Sequence, residues 1–101
     1  VRAIDKKRKL REIRRRLGLN QQEFWSRIGV TQSGGSRYET GRAMPKPVRE
    51  LLRLVHIEGI DLAHVKGEYF AVASRLRTTH PSLYQRLKQE ARNLPRKSSR
   101  Q

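Results

Sequence analysis

The side chains most able to do chemistry in this sequence are its cations: 24 Lys and Arg stand against 9 Asp and Glu, a formal charge of +15. In a short chain that charge opposes compaction, and a polyanionic partner accounts for it, either nucleic acid or an anionic membrane surface. Histidine and serine offer other chemistry. His56, His64 and His80 are not spaced as a two-ligand helical pair and no acid cluster accompanies them, so they read as surface or interface histidines rather than metal ligands. Ser26, Ser33 and Ser36 lack a matched His and Asp, and the acids are scattered, so no enzyme activity is expected. The Gly34–Gly35 pair lacks the further glycine and the Lys-Ser/Thr context of a phosphate loop. Cysteine is absent, which excludes a disulfide framework and a Cys-based zinc site. No metal and no cofactor are expected.

The elements must hold these cations in place. A chain of 101 residues, 35% hydrophobic, has room for one compact domain with a modest core. No apolar run approaches the ~20 residues of a membrane span, and no secretory leader pattern is visible. A nucleic-acid partner in the cytoplasm, at the nucleoid, is therefore the expectation, with no membrane partner. Leu10, Ile13 and Leu17 recur at helical spacing and predict a helix over about 5–17, stopped by Gly18. Asn20 with Glu23 forms a capping pair for a helix over about 21–28, ended by Gly29. Thr31 caps a third over about 32–40, ended by Gly41. After a loop at 42–46, Pro47 suits a first helical position, and Val48, Leu51, Leu52, Leu54 and Val55 predict a helix over about 47–57. Gly59 stops it, and Asp61 caps a short helix over 62–65. Tyr69, Phe70, Val72, Ala73 and Leu76 mark another helix to about 77, and Pro81 opens a last one that fades near Leu94. The basic tail 95–101, with Arg96, Lys97 and Arg100, has no apolar anchor and is expected to be disordered. No strand and no internal repeat are predicted.

Two short helices joined by a tight glycine-containing turn form the DNA-reading unit of helix-turn-helix proteins. The run Leu19 to Gly41, LNQQEFWSRIGVTQSGGSRYETG, resembles the helix-turn-helix of phage Cro and repressor proteins and their bacterial relatives. Gln21, Gly29, Thr31, Gln32, Ser33, Ser36, Arg37, Tyr38, Glu39 and Gly41 fall in register with that pattern. Carried on to Ile60 and Asp61, the resemblance covers about residues 5–66. It implies an all-α fold, a compact bundle of about five helices that usually binds DNA as a dimer on two half-sites. Domain organisation follows: a DNA-binding domain over 1–66, a C-terminal helical extension over 67–94, and the tail 95–101.

The resemblance also implies roles for particular residues. Gln21 opens the bracing helix and is placed to hold a phosphate. Gln32, Ser33, Ser36 and Arg37, with Gly34, fall on the groove-facing side of the reading helix. There Gln pairs with adenine and Arg with guanine in bidentate fashion. Arg42 and Lys46 are placed to meet phosphates. Arg14 and Glu39 stand where many relatives have a salt bridge that fixes the reading helix, expected here to be partly buried.

Two positions depart from the pattern. Trp25 stands where the family has a small residue, and Gly35 where it has a buried aliphatic one. These positions face each other across the helix pair, so the indole is expected to fill the volume that the missing side chain leaves. Trp25, Phe24 and Tyr38 are accordingly expected in the core, although an exposed Trp25 could stack on a base. The apolar residues of 68–94 either complete the core or build a dimer surface. The sequence thus reads as a transcriptional regulator binding double-stranded DNA, most simply as a homodimer. Its rivals are an antitoxin-like module with a protein partner and a non-specific nucleic-acid binder.

Overall fold

The computed structural model describes residues 7–94. Every regular element in this stretch is helical: α1 (Lys7–Arg16), α2 (Gln21–Ser26), α3 (Gln32–Glu39), α4 (Lys46–Leu52) running into a π-helical turn (Arg53–Ile57), α5 (Gly67–Thr79) and α6 (Pro81–Asn93). The start expected for α1 near residue 5 and the tail 95–101 lie outside the described residues. The chain divides between Ile60 and Asp61 into two compact units. No helix of the described residues is long and apolar enough to cross a membrane.

Local sequence explains the element ends in the first unit. Asn20 accepts from the Glu23 amide at 2.8 Å while the Glu23 carboxylate accepts from the Asn20 amide at 2.9 Å, so two unpaired donors of the first turn of α2 are satisfied together. Thr31 Oγ1 accepts from the Gly34 amide at 3.1 Å and starts α3. Between them the chain must reverse within a few residues. Gly29 does this at φ 79°, and the Val30 amide turns back to the Trp25 carbonyl at 3.0 Å.

The core of this unit draws on every element. Leu10 of α1, Phe24 and Trp25 of α2, Met44 of the following loop and Leu52 of α4 are buried, with Leu19, Ile28 and Val55. Each large side chain so buried contributes about 1.5–3 kcal/mol. Ile13, Leu17, Tyr38, Val48 and Leu51 pack around them.

The helix expected over 47–57 departs from regularity in its last turn. From Arg53 the backbone widens, and the Glu58 amide bonds the Arg53 carbonyl at 2.8 Å, five residues back. The consecutive residues Val55 and His56 are both buried there. His56 is therefore not a surface histidine. Its ring stacks on Phe24 with centroids 3.9 Å apart, and its Nε2–H donates to the Phe24 carbonyl at 2.8 Å. Burial pushes its pKa down; the bond to Phe24 works upward, and the charge of Arg27 adds to the lowering.

The second unit has one further difference. The short helix expected at 62–65 is a turn. Asp61 Oδ1 accepts from the Ala63 amide at 3.0 Å, and its backbone carbonyl from the His64 amide at 3.1 Å. Four residues between two glycines are too few to repay helix nucleation. Helices α5 and α6 follow as a hairpin through His80. Neither helix has a buried residue; Leu76, Leu83 and Tyr84 are half-buried, whereas Tyr69, Phe70 and Val72 are more than half exposed.

Candidate nucleic-acid interface

Helix α3 has two contrasting sides. Gln32, Ser33 and Arg37 are exposed and Ser36 and Gly34 half-buried, while Gly35 and Glu39 are buried. The polar side chains that a duplex groove would meet therefore share the solvent side of a helix whose inner side is fixed in the core. Arg42 and Lys46, past the end of α3, are exposed as well. The Arg42 amide bonds back to the Arg37 carbonyl at 2.9 Å, which ties this loop to α3.

The anchor of α3 is a carboxylate. Glu39 is 1% exposed, and Arg14 of α1 grips it with two parallel bonds, Nε to Oε2 at 2.9 Å and Nη2 to Oε1 at 3.0 Å. The Trp25 indole N–H donates to Oε2 at 2.8 Å, and Gln21 Nε2 donates to Oε1 at 3.3 Å. Arg11 lies 3.9 Å from the same oxygen. Burial alone would push the Glu39 carboxyl up; the bonds from Arg14, Trp25 and Gln21, with the charge of Arg14, outweigh it and hold the group below its ordinary value. No buried side-chain nitrogen or oxygen among the described residues lacks a partner. A desolvated charge is tolerated here because its lone pairs are used.

Two of these bonds went unseen in the sequence. Volume alone accounts for Trp25 in the core, yet an indole buried to 0% exposure also needs an acceptor for its N–H. Glu39, held by Arg14, is the acidic group within its reach. Gln21, expected at a phosphate, has its side chain between two protein partners: Nε2 donates to Glu39, and Oε1 accepts from Gln32 Nε2 at 3.5 Å. A carboxylate only accepts, so it turns the nitrogen of Gln21 inward and the oxygen toward α3.

Trp25 and Gly35 lie against each other across α2 and α3. A Cβ built on Gly35 would overlap indole Cδ1 and Cγ, and would lie 2.6 Å from Cδ2. Phe24 meets the indole edge-on, with centroids 5.1 Å apart, and Tyr38 lies against it at 5.5 Å. The aromatic cluster is closed.

Among the described residues no group of three or more His, Asp or Glu side chains could hold a metal ion. His64 is exposed and pairs with Asp61 at 2.7 Å.

A family model described as an RsaL-like helix-turn-helix domain matches residues 11–55. The matched stretch runs from α1 into the π-helical turn and contains the Glu39 anchor and all of α3. Residues 11–55 are therefore similar to a helix-turn-helix domain. The match is to this domain type and not to the narrower Cro and repressor group that the motif resembles. No curated protein and no solved structure matches the chain.

Proposed function

With a helix-turn-helix domain as the premise, we propose that the protein is a transcriptional regulator that binds double-stranded DNA sequence-specifically and reads the major groove with α3. Gln32, Ser33, Ser36 and Arg37 read bases. Arg42, Lys46 and the first turn of α2 at Gln21 meet phosphates, which supply most of the affinity. The protein acts by binding, on nucleoid DNA in the cytoplasm, as a homodimer on two half-sites. One observation carries the reading: α3 turns Gln32, Ser33 and Arg37 to solvent while Gly35 and Glu39, on its other side, lock it into the core. Selection of bound sites from random duplexes tests it. A palindromic motif is the expected result; steep salt dependence with no sequence preference overturns it.

The exposed Tyr69, Phe70 and Val72 of α5 favour a second role in protein contact. Their partner is a second copy in this reading, or a small protein in an antitoxin-like one. Sedimentation of the purified protein, alone and on its selected DNA, separates the two.

A further inference from the structure

We infer that the first unit carries a second binding site, for a small hydrophobic carboxylate, in the pocket between α1 and the π-helical turn. The pocket holds about 240 Å³ and is lined by Ile13, Arg16, Leu17, His56 and Ile57. At ~30 Å³ for each water-sized atom, that space takes about eight heavy atoms. Three aliphatic side chains form its walls, and one of them, Ile57, is 44% exposed. Arg16 is exposed at the same pocket and has no ion-pair partner among the described residues.

His56 makes this more than an apolar depression. It is only 7% exposed, and its Nε2–H is used on the Phe24 carbonyl. Nδ1 therefore carries the lone pair, and it bonds to nothing among the described residues. Yet no buried side-chain nitrogen there is unpartnered. Both statements hold because Nδ1 reaches accessible space, and the pocket is the space that His56 lines. A nearly buried imidazole thus offers one free ring nitrogen to a small cavity beside an arginine. The π-helical turn that places it there is a feature often found at functional sites.

The chemistry follows from the charges. Facing His56 are Arg16 of α1 and Arg27, just past the end of α2; near it in the chain, Arg53 pairs with Glu50 at 3.2 Å and with Glu58 at 3.6 Å. With the pocket empty, burial and the charge of Arg27 disfavour the charged ring and outweigh the bond to Phe24. A carboxylate bound to the Arg16 guanidinium brings a compensating negative charge. Nδ1 then takes a proton from solvent and donates it to the second carboxylate oxygen, while the hydrocarbon lies on Ile13, Leu17 and Ile57. Binding therefore takes up a proton, and affinity rises as pH falls toward the histidine range. An alcohol of the same length gains only the apolar contact.

Hexanoate and benzoate, with 1-hexanol as the uncharged control, test the site in the full chain without DNA. Binding is followed by the His56 ring resonances and by fluorescence of the single tryptophan, which meets Phe24 edge-on while Phe24 stacks on His56. The expected result is saturable binding of the carboxylates with Kd on the order of millimolar, the scale for so few heavy atoms. Kd should fall several-fold between about pH 7.5 and 6, and 1-hexanol should bind several-fold more weakly. Arg16→Gln, at an exposed position, should abolish the preference for carboxylate over alcohol, and His56→Gln should remove the pH dependence. Absence of saturable binding overturns the site. So does equal binding of acid and alcohol, or carboxylate binding unchanged in Arg16→Gln. None of these outcomes bears on whether α3 reads DNA.

Discussion

Replacing Gly35 by alanine should destabilise the protein even though alanine is the better helix former. Glycine in a helix interior costs about 1 kcal/mol against alanine, so propensity alone predicts a gain. The added methyl would overlap indole Cδ1 and Cγ of Trp25 and lie 2.6 Å from Cδ2. Carbon atoms rest at about 3.5–4.0 Å, so α3 or the indole must give by roughly an ångström. The indole has nowhere to go: it is 0% exposed, its N–H is held by Glu39 at 2.8 Å, and Phe24 and Tyr38 close its flanks. Moving α3 instead pulls Glu39 from the two-point grip of Arg14. Overpacking of this kind costs about 1–3 kcal/mol, occasionally more, and breaking charged hydrogen bonds adds to it. The net loss expected is about 2 kcal/mol, a fall of roughly 8–16 °C in Tm for a domain of this size. The neighbouring Gly34 is the internal control. A Cβ there meets only side-chain atoms, Thr31 Oγ1 at 3.2 Å and Val30 Cγ1 at 3.4 Å, so Gly34→Ala should keep most of its propensity gain, about 0.5 kcal/mol or more. Urea denaturation followed by helical circular dichroism and Trp25 fluorescence gives both values. If Gly35→Ala proves as stable as the native chain, the interlock is refuted.

Other consequences can be measured in the same way. Trp25→Ala should cost about 3–5 kcal/mol, and Gly35→Ile, disruptive alone, should recover part of that loss in the double variant; additive losses in the thermodynamic cycle would contradict volume exchange. Trp25→Phe keeps most of the bulk but deprives Glu39 of the indole donor, with an expected cost of about 1–3 kcal/mol by denaturant midpoint. Gln32→Ala and Arg37→Ala should each weaken a selected DNA site by about 1–3 kcal/mol in mobility-shift titrations and relax base preference there; equal losses on random DNA would mean that they do not read bases. Acid should act in two windows. His56 titrates lower when folded, so its stability is complete above its ordinary pKa of about 6.5 and declines as pH falls below that toward the lowered value; His56→Gln should flatten this limb of the melting curve. Glu39, also lowered, contributes stability above its ordinary value of 4.5 that is lost as pH falls through the folded value.

The helices were largely legible because their ends are written in short-range chemistry. Asn20, Glu23, Thr31 and Pro47 act through neighbouring amides or their own ring, and those effects do not depend on distant contacts. The Arg14 and Glu39 pairing was reached through a resemblance, since nothing in local spacing joins residues 25 apart in the chain. What stayed hidden depends on tertiary geometry. His56 in a polar-looking HIEG segment gives no sign of burial, because the widened turn that carries it inward replaces one helical register by another. Residues 62–65 show the opposite: Asp61 has the chemistry of a helix cap, but the segment after it is too short to propagate a helix.

The Trp25 and Gly35 exchange shows why reading volume alone captures only half of such a site. A buried aliphatic at position 35 would fill space and ask nothing of its surroundings. The indole fills that space but brings an N–H that must be satisfied away from water, and an unpaired donor there would cost about 1–3 kcal/mol. Glu39 can accept it only because Arg14 already compensates the charge. Once both donors hold the carboxylate, its remaining acceptor capacity fixes the amide of Gln21, which in turn contacts Gln32 on the solvent side. A steric substitution in the core therefore acquires a polar path to the surface of α3. It follows that Trp25→Phe and Gly35→Ala, matched for loss of stability, should differ in one respect. Gln32 exchange broadening in amide side-chain spectra should rise in the first through loss of a donor, and in the second only as far as α3 itself shifts. Equal behaviour at Gln32 would confine the role of Trp25 to packing.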